Sequence, residues 1–139
     1  MDMKQYFEQH SGFGVLCTAD DAGRVNAAVY ARPHCFDDGT VGFIMPSRLT
    51  HHNLQTNDHA TYLFREDPKP EGSRYTGVRI YLKKVNEDDD ASRIDKLRRR
   101  AYGDERDGRH LVIFAVEKQL PLVGAGEDSG LADDKENGQ

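Results

Sequence analysis

A chain of 139 residues is the size of one domain with one core. Hydrophobic residues make up 37% and charged residues 31%, and the apolar ones cluster, which excludes a wholly disordered chain. The net charge of −5 argues against nucleic acid as the main partner, and no apolar run approaches the roughly 20 residues that cross a bilayer.

The first ten residues are acidic and polar, without the basic-then-apolar order of a secretion signal, so a cytoplasmic protein with no membrane partner is expected. Residues 2–10 read as a short amphipathic helix capped by Asp2, with Tyr6 and Phe7 on its apolar side. Residues 15–19 and 25–31 read as two strands of a hairpin, joined by the turn residues Asp20, Asp21, Ala22 and Gly23. Pro33 marks where regular pairing loosens. A turn at Asp37, Asp38 and Gly39 leads into a strand over 40–45, ended by Pro46. A short helix over 48–57, with Leu49 and Leu54 as its apolar members, precedes a strand over 60–64. Residues 67–72 hold too many breakers to be anything but a loop. Val78, Ile80, Leu82 and Val85 then mark a long half-buried strand over 75–85, followed by an acidic turn over 86–90. A helix over 92–102, a core strand over 111–116 and an edge segment over 120–123 complete the domain, taken as 1–123; residues 124–139 read as an acidic, disordered tail. About six strands at hairpin spacing, without regular alternation with long helices, point to a closed antiparallel barrel, because closure removes exposed edges.

The stretch from Met45 to Asn53 carries the clearest chemistry. A buried strand runs through Met45 and Pro46 into a helix start bearing Ser47, Arg48, Leu49 and Thr50. Two hydroxyls, a guanidinium and the unpaired N–H groups of a helix start suit one phosphate. Read alone, the same residues also describe an ordinary helix with Ser47 as its cap. On the second strand, Ala27, Ala28 and Ala31 flank Val29 and Tyr30 and leave room for a flat ring, with Arg32 within reach of its polar edge; a tight barrel taper accounts for the same alanines.

Other chemistries lack support. Cys17 and Cys35 form no CxxC pair and read as reduced thiols packed against a sheet. His51 and His52 are neighbours that point roughly 100° apart on a helix, so no metal site is expected from them. No nucleophile elbow, P-loop or GxGxxG is present. Arg98, Arg99 and Arg100 are balanced by nearby acids and read as a solvated helix face.

In its order of elements the chain resembles the pyridoxamine 5′-phosphate oxidase-like FMN-binding split-barrel superfamily. The likeness rests on the hairpin around Gly23–Tyr30, on Arg48–Asn57, on the 60–64 strand and on 75–82, and spans about residues 3–123. It implies a six-stranded split barrel that works as a homodimer with FMN in clefts between subunits. It also implies flavin contacts from Ala28, Val29, Tyr30, Ala31 and Arg32, from Met45, Pro46, Ser47, Arg48, Leu49 and Thr50, and from Asn53. Where members that oxidise pyridoxamine 5′-phosphate carry a basic residue, Thr50 stands here, and the tail offers no match to their substrate-binding residues. The resemblance therefore points to a short flavin-dependent oxidoreductase with a small-molecule or protein electron donor, and not to vitamin B6 oxidation. The alternative is a non-enzymatic binder of flavin, haem or deazaflavin in the same cleft, with His34 or His110 as a haem ligand.

Overall fold

The computed structural model describes residues 2–97 and 109–124. Helix α1 (Met3–Gln9) starts where the Asp2 carboxylate accepts the backbone N–H of Gln5 at 3.3 Å. Met3 and Phe7, one turn apart, are its buried members. Strands β1 (Gly12–Ala19) and β2 (Val25–Val29) pair as a hairpin. Its turn is held by the Asp20 carboxylate, which accepts the backbone N–H groups of Ala22 and Arg24 at 2.9 Å each. Gly23 supplies the positive φ, 84°, that the turn needs.

Next come β3 (His34–Cys35), β4 (Val41–Met45), α2 (Leu49–Asn53), β5 (His59–Glu66), β6 (Gly77–Asp88), α3 (Ala91–Leu97) and β7 (His110–Pro121). All seven described strands join one antiparallel sheet in the order β2-β1-β5-β6-β7-β4-β3. The fold is mainly β, a curled split barrel; the strand beyond the expected six is the two-residue β3.

Alternation builds the core. Ala60, Tyr62 and Phe64 of β5 and Val78, Ile80 and Leu82 of β6 point inward, and Leu16, Phe43, Met45, Val112 and Phe114 meet them. Burying one such large apolar side chain contributes about 1.5–3 kcal/mol. Met3 and Phe7 close one end, and Arg32 ties α1 in place by donating from Nη1 to the carbonyls of Phe7, 2.7 Å, and His10, 3.0 Å.

Several elements differ from the sequence reading. Strand β2 stops at Val29, and α2 covers Leu49–Asn53 instead of 48–57. Arg48 is the extended N-cap of α2 and makes no side-chain cap bond, so Ser47 does not cap it. Residues 86–88 are strand rather than turn: Asn86, Glu87 and Asp88 pair with Ile113, Val112 and Leu111 after a bulge near Lys84. Leu120 and Pro121 extend β7 instead of forming a separate edge. Among the described residues no ladder joins β2 to β3, so backbone pairing does not complete the expected closed barrel at that seam. The Tyr62 hydroxyl donates to the Tyr30 carbonyl at 3.0 Å, and the Tyr30 ring meets Phe43 edge-on at 5.9 Å. The end of the helix read over 92–102, the arginine run at 98–100 and the tail from 125 lie outside the described residues. No helix among the described residues is long and apolar enough to cross a membrane.

Candidate functional site

Two side-chain bonds fasten α2 against the β1–β2 hairpin. Asn53 Nδ2 donates to Thr18 Oγ1 at 3.1 Å, with both residues buried, and Asn26 Nδ2 donates to Thr50 Oγ1 at 3.3 Å. The segment from Met45 to Thr50 is thereby set beside the edge strand β2. These contacts bring together the two stretches that the sequence singled out.

The twelve candidate residues divide by exposure. Met45, Thr50 and Asn53 are buried, and Ala28, Tyr30, Arg32 and Pro46 are half-buried. Val29, Ala31, Ser47, Arg48 and Leu49 are exposed. Val25 and Val29 are 83% and 67% accessible and Leu49 is 54% accessible, unusual values for large apolar side chains. The result is a strip of Val25, Ala27, Val29 and Leu49 beside a polar corner of Ser47 and Arg48. The corner's donors fit one phosphate and the flat strip fits a planar ring, so the residues present suit FMN. Arg32 does not stand in this corner by its Nη1 group, which is spent on the carbonyls of α1. An apolar hollow of about 580 Å³ lies elsewhere, between α3 and β6, lined by Phe36, Val85, Leu97, Leu111 and Ile113. It includes none of the twelve residues.

Behind Ser47 stands a polar cluster absent from the sequence reading. Ser47 Oγ lies 2.8 Å from His110 Nε2, and the other ring nitrogen, Nδ1, lies 2.8 Å from Asp89 Oδ1. The rings of His51 and His110 stack at 3.7 Å between centroids, 9° from parallel. Glu87 Oε2 faces both, 3.0 Å from His51 Nε2 and 3.4 Å from His110 Nδ1. Gln55 Nε2 donates to Glu87 Oε1 at 3.2 Å and to the His51 carbonyl at 3.1 Å. Burial pushes the Glu87 carboxyl up, but hydrogen bonds from His51 and Gln55 and the fields of both imidazoles outweigh it and hold the group below the usual carboxylate range. Sequence reasoning missed Glu87, Asp89 and Gln55. The acidic run over 87–90 was the available signal, and nothing in its spacing tied it to His51.

No protein-family model matches the chain, and no curated protein matches it in sequence. Solved structures do match in shape. An FMN-binding protein from Syntrophomonas wolfei subsp. wolfei is 18% identical at a TM-score of 0.71, over 89% of this chain and 86% of that one. The styrene monooxygenase flavin reductase of Pseudomonas putida S12 is 10% identical at 0.54, over 85% and 84%. The heme storage protein HutZ of Vibrio cholerae is 16% identical at 0.54, over 84% and 90%. At these identities the likeness is one of fold. The chain shares the split-barrel fold of these structures.

Proposed function

We propose that this chain is an FMN-binding redox protein, a flavin-dependent oxidoreductase that works as a homodimer and takes electrons from a small molecule or a protein. The supporting observation is the polar corner of Ser47 and Arg48 set against the exposed apolar strip of β2. Bound FMN supplies electron and hydride transfer at its ring, and the protein supplies grip, orientation and shielding. Arg48 meets the phosphate with a charge-assisted bond. Ser47 accepts from His110 Nε2 when that nitrogen carries the proton, which leaves its own hydroxyl hydrogen free to donate to a phosphate oxygen. Thr50 is buried and acts by holding Asn26 and hence the spacing between α2 and β2. A second copy of the chain covers Val25, Val29 and Leu49 and closes the cleft over the ring.

Titrating the purified chain with FMN, read by quenching of flavin fluorescence, tests this. Saturable uptake is expected, with Arg48→Ala weakening it about ten- to a hundredfold, the worth of one charge-assisted bond. No saturable uptake, or an Arg48→Ala protein that binds as well as the parent, overturns the assignment. The second reading, a binder of haem or deazaflavin, draws on the likeness to HutZ and to an F420 reductase. A Soret band, or uptake of deazaflavin in preference to FMN, would favour it.

A further inference from the structure

We propose that His51, Glu87 and His110 form a binding site for one divalent transition-metal ion of the zinc class. The three come from α2, β6 and β7, and their ligand atoms lie within 4.8 Å of one another. The inference is independent of the flavin reading. It also leaves the adjacent pair intact as an argument: His51 and His52 do not share an ion, because only His51 faces the cluster while His52 is exposed.

The spacing suits the chemistry. Zinc holds nitrogen and oxygen ligands at about 2.0–2.2 Å, which places neighbouring donors of a tetrahedron about 3.3–3.5 Å apart. Glu87 Oε2 is 3.0 Å from His51 Nε2 and 3.4 Å from His110 Nδ1. Two imidazoles and a carboxylate are the borderline donors that such ions favour over calcium or magnesium. In the stacked arrangement the two ring planes run side by side, so seating an ion requires each ring to turn about χ2 until the lone pairs converge. Side-chain exposures of 14%, 20% and 16% for His51, Glu87 and His110 leave an entry path and a place for water as a further ligand. Asp89, with Oδ1 2.8 Å from His110 Nδ1, is a second carboxylate at the same mouth.

The surroundings have the form of outer-shell support. Gln55 occupies Glu87 Oε1, which leaves Oε2 directed at the imidazoles. Ser47 sits at His110 Nε2, so that nitrogen can carry the proton and donate it when Nδ1 holds the ion. One ion would then clamp α2 to the β6–β7 pair, three segments far apart in the chain.

The test uses the full chain, stripped with EDTA and titrated with Zn²⁺ against a chromophoric chelator. One ion per chain is expected. His51→Ala and His110→Ala should each weaken binding by about tenfold or more, Gln55→Ala by about tenfold, and His52→Ala by less than about twofold. Binding should also weaken as pH falls, because protons compete for the ligand atoms. Wild-type protein loaded with Co²⁺ gives a readout that needs no variant: large contact shifts on the imidazole signals of two histidines, with only the smaller through-space shifts on His52 and His59. No saturable 1:1 binding of Zn²⁺ or Co²⁺ overturns the proposal. So does a site that survives the loss of His51 and His110, or a Co²⁺ effect centred on other histidines.

Discussion

Tyr62→Phe isolates the bond that ties β5 to the segment leaving β2, across Gly14 of β1. The Tyr62 side chain is fully buried, and its hydroxyl donates to the Tyr30 carbonyl at 3.0 Å. Phenylalanine keeps the ring and its packing on Phe43, 4.9 Å between centroids, so the change removes one hydrogen bond and one oxygen. Stranding a partly buried acceptor costs about 1–2 kcal/mol, less than the worst case because Tyr30 is half-buried and its carbonyl can find water. For a domain of this size each kcal/mol moves Tm by about 3–5 °C, so a fall of about 3–10 °C is expected in thermal unfolding followed by circular dichroism. A second arm sharpens the test. A Cβ on Gly14 would fall on the Tyr62 hydroxyl and the Tyr30 carbonyl, so Gly14→Ala should be less costly in the Tyr62→Phe background, with a coupling of at least about 0.5 kcal/mol. A Tm within about 1 °C of the parent, or strictly additive effects, refutes the role given to this bond.

Other expectations concern α1 and its anchors. Burial raises the Tyr6 phenol far above its usual value, helped by the bond from its hydroxyl to Glu66 Oε2 at 2.7 Å and by the Glu66 charge. A group whose folded value is raised contributes stability below the unfolded value, about pH 10, and loses it as pH climbs toward the folded one. Urea unfolding between pH 8 and pH 11 should therefore show a steeper alkaline loss for the parent than for Tyr6→Phe; parallel curves would contradict the assignment. Arg32→Ala removes two bonds to the carbonyls of Phe7 and His10 and should cost about 2 kcal/mol. Hydrogen exchange should then accelerate in Met3–Gln9 ahead of the sheet, and uniform exchange would count against α1 being held by this side chain.

Local signals were legible in the sequence because they act between near neighbours. Asp2 caps α1, Asp20 and Gly23 shape the first turn, and period-two alternation marks β6. Boundaries failed where distant partners decide them. Glu87 and Asp88 have poor strand propensity, yet they remain in β6 because β7 pairs with them and His51 and Arg93 bind their carboxylates. Ser47 looked like a cap, but His110, 63 residues away, holds its hydroxyl and the cap passes to Arg48. The candidate residues of β2 and α2 could be named from the sequence. Their mutual placement required the Asn26–Thr50 and Asn53–Thr18 bonds, which no spacing along the chain discloses.

Strand β7 is translated last of the described strands, yet it lies inside the sheet between β6 and β4. While the nascent chain still lacks His110–Pro121, the β2-β1-β5-β6 ladder and the β3-β4 hairpin can each pair, but no strand joins them. Completion is then a post-elongation event that inserts a strand between two waiting edges, a slow class of step that exposes sticky surface meanwhile. A premature stop before His110 would accordingly yield half a core and two open edges, a substrate for chaperones and proteases rather than a shortened functional protein.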